Sequence, residues 1–61
     1  MPIINVTMLE GRTTEQKRTL AKEMTDLVCD VLKCPAEAVT IVIEELPREN
    51  IAKAGRLYSD Q

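Results

Sequence analysis

The chain has 61 residues and 6.8 kDa, with 8 Lys and Arg against 10 Asp and Glu, a net charge of -2 and a pI near 5.0. It is long enough for one small domain spanning residues 1–61, which buries only about 60% of the surface of its unfolded form, so its own core needs a supplement. There is no basic stripe, no stacking platform beyond the single aromatic Tyr58, and no apolar run near the ~20 residues of a membrane span, which argues against nucleic-acid and membrane partners.

The first element is Ile3 to Leu9, where Ile4, Val6 and Met8 alternate with Ile3, Asn5 and Thr7. Period-two alternation with β-branched enrichment predicts a strand with one more apolar face. Glu10-Gly11-Arg12 breaks the pattern and ends it. Thr13 and Gln16 have the spacing of a capping box, so a helix should start there. Its apolar stripe runs through Leu20, Met24, Leu27 and Val31, widened by Ala21, Val28 and Leu32, with Arg18, Lys22, Asp26 and Asp30 on the solvated face. Pro35 disfavours helical geometry at the residue before it, which places the end near Lys33. After a turn at Cys34-Pro35-Ala36-Glu37, the run Val39 to Leu46 is again β-branched and short, a second strand. Strand, helix and strand make a βαβ unit, an α/β fold with parallel strands and one long helix. From Pro47 the tail is expected to hold turns and a short edge hairpin.

One helix shields only one face of a two-stranded sheet, so the other face requires a second chain. The other possible supplements are weak. His is absent and the two cysteines, Cys29 and Cys34, fall short of a four-ligand zinc site. A bridge between them would close only a short loop, and no secretory leader is evident, so the expected setting is cytoplasmic with reduced thiols. Both read as small packing residues, Met8 and Met24 as filler, and Tyr58 as interface packing. Glu44 and Glu45 are adjacent on a strand, point to opposite faces, and read as edge or interface polarity.

The start Met1-Pro2-Ile3, the run Leu9-Glu10-Gly11-Arg12-Thr13-Thr14-Glu15-Gln16-Lys17, and Ile43-Glu44-Glu45-Leu46 resemble the 4-oxalocrotonate tautomerase family over nearly the whole chain. The segment Ile51-Ala52-Lys53-Ala54-Gly55 is similar to that family's tail, a small hairpin at the subunit boundary. The resemblance implies a homo-oligomer, most simply a hexamer built as a trimer of dimers. It also implies cofactor-free, metal-free keto–enol isomerisation of a small-molecule 2-hydroxydienoate such as 2-hydroxymuconate, or a related 2-oxo acid, as in aromatic degradation. In that reading Pro2, freed by loss of Met1, is the general base and Arg12 binds a substrate carboxylate. The residue chemistry fits. A terminal proline is a secondary amine, an α-amino group titrates at about 7.7–8.0, and an apolar pocket beside a cation lowers that value. A guanidinium donates two parallel hydrogen bonds to a carboxylate.

The chain departs from the family pattern at two further binding positions, where the second arginine aligns with Thr40 and a pocket aromatic aligns with Ile51. Thr40 offers only a neutral hydrogen bond, whereas Ile51 still offers an apolar wall. Arg48, Lys53 and Arg56, in or near the tail, are candidate replacements for the missing charge. Other readings keep the same scaffold: hydratase- or dehalogenase-like or iminium chemistry at the same amine, or a catalytically weak oligomeric scaffold.

Overall fold

The computed structural model describes residues 1–61. In chain order they form strand β1 (Ile3–Leu9), helix α1 (Thr14–Leu32), strand β2 (Thr40–Leu46), and the two-residue strands β3 (Ala52–Lys53) and β4 (Arg56–Leu57). Short 3₁₀ turns occupy Ala36–Ala38, Arg48–Asn50 and Tyr58–Asp60.

β1 and β2 pair in parallel from Ile3 opposite Thr40 to Leu9 opposite Leu46. The ladder continues past both ends. The Thr40 amide donates to the Pro2 carbonyl at 3.0 Å, and the Glu10 amide donates to the Leu46 carbonyl at 3.0 Å. Parallel strands need a long crossover, which α1 provides with 19 residues. Its start is the expected capping box: Thr13 Oγ1 accepts from the Gln16 amide at 3.1 Å, while Gln16 Oε1 accepts from the Thr13 amide at 2.9 Å. Two orphan donors of the first turn are thereby satisfied.

The helix ends on Lys33, which stands in the left-handed region at φ 55 and ψ 49. A residue there reverses the chain and brings the one after it back over the last helical turn. The expected turn after the helix contains the 3₁₀ turn Ala36–Ala38, and β2 starts at Thr40, one residue later than Val39. In the tail, β3 and β4 pair antiparallel as a separate hairpin, not as an edge of the β1–β2 sheet. Its two-residue turn, Ala54-Gly55, has φ values of 54 and 81, both positive as a tight hairpin turn requires.

Burial alternates as the strand pattern predicts. Ile4, Val6, Met8, Ile41 and Ile43 are half-buried beneath α1, whereas Ile3, Asn5, Thr7, Thr40, Val42 and Glu44 are exposed on the opposite face. Glu45 departs from its expected role in edge polarity: its carboxylate, 29% exposed, pairs with Lys17 Nζ from the first turns of α1 and pins the helix to the sheet.

The helix stripe divides. Leu20, Ala21, Met24 and Val28 are half-buried, but Leu27, Val31 and Leu32 remain 63%, 64% and 58% exposed. Two strands about 4.8 Å apart are too narrow to cover the whole apolar arc of a helix about 10 Å across. No residue of the chain is fully buried, and Ile3 and Val42 on the open sheet face are 57% and 46% exposed. The radius of gyration is 14.7 Å, against roughly 10.5 Å for a compact chain of this length. The chain is a slab with principal extents of 43 × 23 × 13 Å whose apolar groups lack an interior. No helix is long and apolar enough to cross a membrane.

Candidate active site

Pro2 sits half-buried at the head of β1, and Met1 before it is 87% exposed. The hydrogen bond from the Thr40 amide to the Pro2 carbonyl fixes the proline against the first residue of β2. Thr40 itself is exposed, so its hydroxyl lies at the same end of the sheet and is open to a ligand.

Arg12 is at the other end. β1 contributes seven residues between the two, which at about 3.3 Å per residue puts Pro2 and Arg12 more than ~20 Å apart, beyond the reach of an arginine side chain. Gly11, at φ 120, lets the chain leave β1 sharply and turn into the helix cap. Arg12 is exposed and borders two shallow cavities. One, ≈ 320 Å³, runs along the helix with Met8, Gln16, Lys17 and Leu20. The other, ≈ 340 Å³, lies between the strand ends and includes Glu10 and Arg48.

Ile51 is half-buried in the segment that leaves the same end of β2. Its amide donates to the Arg48 carbonyl at 3.4 Å, and its carbonyl accepts from the Tyr58 amide at 2.8 Å, so the 3₁₀ turn and the tail hairpin hold it in place. Within one chain, then, Pro2 and Thr40 are brought together, whereas Arg12 and Ile51 belong to segments beyond the opposite end of the strands. The four candidate residues do not form one cavity in a single chain.

Two placements leave no signal in the sequence. The Lys17–Glu45 pair depends on the registry of helix on sheet, for which the 28-residue separation gives no local signal. Arg48 at the Arg12 cavity depends on Leu9 and Leu46 ending side by side, which is a matter of strand register. Of the three tail cations Arg48, Lys53 and Arg56, Arg48 is the one that borders a cavity with Arg12. Arg56 instead donates to the Asp60 carbonyl at 3.1 Å.

The cysteines have no catalytic setting. Left-handed Lys33 turns Cys34 back toward Cys29, and desolvation, aided by Cys34 and Asp26, pushes the Cys29 thiol above its ordinary value. A thiol held neutral is a poor nucleophile, in keeping with packing. No three Cys, Asp or Glu side chains converge as a metal site would require.

The tautomerase enzyme family profile matches residues 2–61. The 2-hydroxymuconate tautomerase of Bacillus subtilis (strain 168) is 42% identical over 60 residues, 98% of this chain and 97% of that protein. A probable tautomerase of Halalkalibacterium halodurans is 39% identical over 61 residues, 100% of both chains. Among solved structures, YwhB, a homologue of 4-oxalocrotonate tautomerase, superposes with a TM-score of 0.94 at 40% identity, covering 98% of each chain. A heterohexamer 4-oxalocrotonate tautomerase from Chloroflexus aurantiacus gives 0.92 at 32% identity, over 98% of this chain and 97% of that one. With its β-α-β architecture and its full-length sequence match, this chain belongs to the tautomerase enzyme family.

Proposed function

We propose that this chain is a cofactor-free keto–enol tautomerase acting on 2-hydroxydienoates such as 2-hydroxymuconate, with Pro2 as general base in a homo-oligomer, a hexamer arranged as a trimer of dimers. The single observation that carries the reading is the separation of Pro2 and Thr40 from Arg12 by the length of β1, in a chain with no fully buried residue. Burying the open sheet face and the Leu27–Val31 flank against other copies supplies the missing core. The same association sets the Pro2 end of one chain against the Arg12 and Ile51 end of another. Family membership and the hexameric Chloroflexus relative support this arrangement.

The chemistry follows from those groups. With Met1 removed, the Pro2 nitrogen is a basic secondary amine. Ile51 and a neighbouring guanidinium disfavour its protonated form, leaving a lone pair at neutral pH. Arg12 takes a substrate carboxylate in a two-point hydrogen bond. The amine accepts the proton of the 2-hydroxyl, the oxygen electron pair closes the carbonyl, and the diene electrons move to C3 or C5. That carbon then takes the proton from the Pro2 ammonium, completing a 1,3- or 1,5-transfer. Thr40 donates a neutral hydrogen bond near the developing carbonyl, so electrostatic assistance at this end is weaker than a cation would give.

The test is an ultraviolet assay with 2-hydroxymuconate and phenylenolpyruvate on protein whose loss of Met1 is verified by intact mass. Ketonisation that disappears on acetylating Pro2 supports the reading. No turnover of either substrate by correctly trimmed protein refutes it and leaves the oligomeric scaffold. Trapping of a carbonyl substrate by borohydride would instead favour iminium chemistry.

A further inference from the structure

β1 and β2 end in register, Leu9 beside Leu46, clamped by the Glu10 amide on the Leu46 carbonyl at 3.0 Å. Arg12 leaves one strand end and Arg48 the other, and both border the ≈ 340 Å³ cavity with Met8, Leu9, Glu10 and Gly11. Of the chain's 8 Lys and Arg residues, four have a carboxylate partner: Lys17 with Glu45, Arg18 with Glu15, Lys22 with Asp26, and Lys33 with Asp30. Arg12 and Arg48 have none, and the one acid bordering their cavity, Glu10, pairs with neither. Two unpaired guanidinium groups on one cavity repel each other until an anion enters, and each carries a fork of donors suited to a carboxylate.

We propose that Arg48 is a second carboxylate-binding residue of this site, closing with Arg12 on the substrate carboxylate remote from the reacting enol. The pair thereby selects dicarboxylates over monocarboxylates. This rests on the function proposed above. It locates the chain's second substrate-binding cation on the Arg12 end, not at Thr40. Both arginines come from the same chain, so this half of the site is set by strand register before any partner arrives. Glu10 tempers the cavity to one net positive charge, which suits a single carboxylate.

The test compares trimmed wild-type protein with Arg48→Ala and Arg48→Lys. For Arg48→Ala, KM for 2-hydroxymuconate should rise at least about tenfold, as expected on losing hydrogen bonds to a charged group, with a small change in kcat. The ratio of kcat/KM for 2-hydroxymuconate over phenylenolpyruvate, which lacks the remote carboxylate, should fall by a similar factor. Arg48→Lys keeps the charge without the fork and should recover part of the loss. An equal loss on both substrates, or no loss on either, overturns the proposal. Calorimetric titration with cis,cis-muconate, a dicarboxylate without the enol, separates this from failure of the function itself. Weaker muconate binding by Arg48→Ala would support the cation pair even in a protein that turned over neither enol, and equal binding would refute it.

Discussion

Mixing two impaired forms of the chain should raise activity above that of either, because Pro2 and Arg12 lie too far apart along β1 to meet within one copy. One form carries an acetylated Pro2, accessible by chemical synthesis at 61 residues. The other carries Arg12→Ala. The first has no base, and the second loses hydrogen bonds to a charged group, about 1.5–3 kcal/mol or roughly 10- to 100-fold in kcat/KM. Unfolding the two together at equal concentration and refolding yields mixed oligomers. If each site draws its proline and its arginine from different chains, about one site in four combines a free amine with an intact guanidinium. Activity on 2-hydroxymuconate should therefore climb from a few per cent to about a quarter of the wild-type value. If both residues came from one copy, the mixture would stay at the average of its two parents. That outcome, with native mass spectrometry confirming mixed oligomers, would refute the shared site.

Three further predictions concern the fold. Lys17→Met leaves the Glu45 carboxylate, 29% exposed, without its partner; the expected loss is about 1–2 kcal/mol, between an exposed and a buried pair. The double change Lys17→Met with Glu45→Leu should recover most of it, with urea midpoints at fixed protein concentration as the readout, and an additive loss would contradict this. Lys33→Gly relieves a left-handed backbone at φ 55; net of glycine's greater unfolded freedom it should add about 0.5–1 kcal/mol, raising Tm by several degrees, and a fall in Tm would count against the backbone argument. Cys29, with its thiol raised above its ordinary value by desolvation, should alkylate more slowly than a free cysteine at pH 8 and match it once unfolded. The sign is that of a raised acid: the neutral thiol's contribution to stability is full below the unfolded value and is lost as pH rises through the folded one. Equal alkylation rates in folded and unfolded protein would rule it out.

Much of this was legible because the signals were local. The Ile3–Leu9 alternation, the Thr13–Gln16 box and the stop before Pro35 each depend on neighbours within a few residues, and each falls within a residue of its expected place. The helix stripe was legible only in part. Periodicity marks Leu27 and Val31 as apolar, but cannot say that a two-stranded sheet is too narrow to cover them. In the tail, composition and the family resemblance suggested an edge hairpin without revealing that it stands apart from the main sheet or that Ala54 accepts a positive φ.

By itself the sequence determined the β-α-β order, the two alternating faces of β1, and an apolar content with too little chain to enclose it, because these follow from periods of two and 3.6 and from surface-to-volume scaling. Tertiary structure alone decided that Pro2 and Arg12 stand at opposite ends of a parallel pair, that Lys17 reaches Glu45, and that Arg48 shares a cavity with Arg12. Each of those depends on strand register and on helix placement over the sheet, which join residues tens of positions apart and leave no periodic trace in the chain.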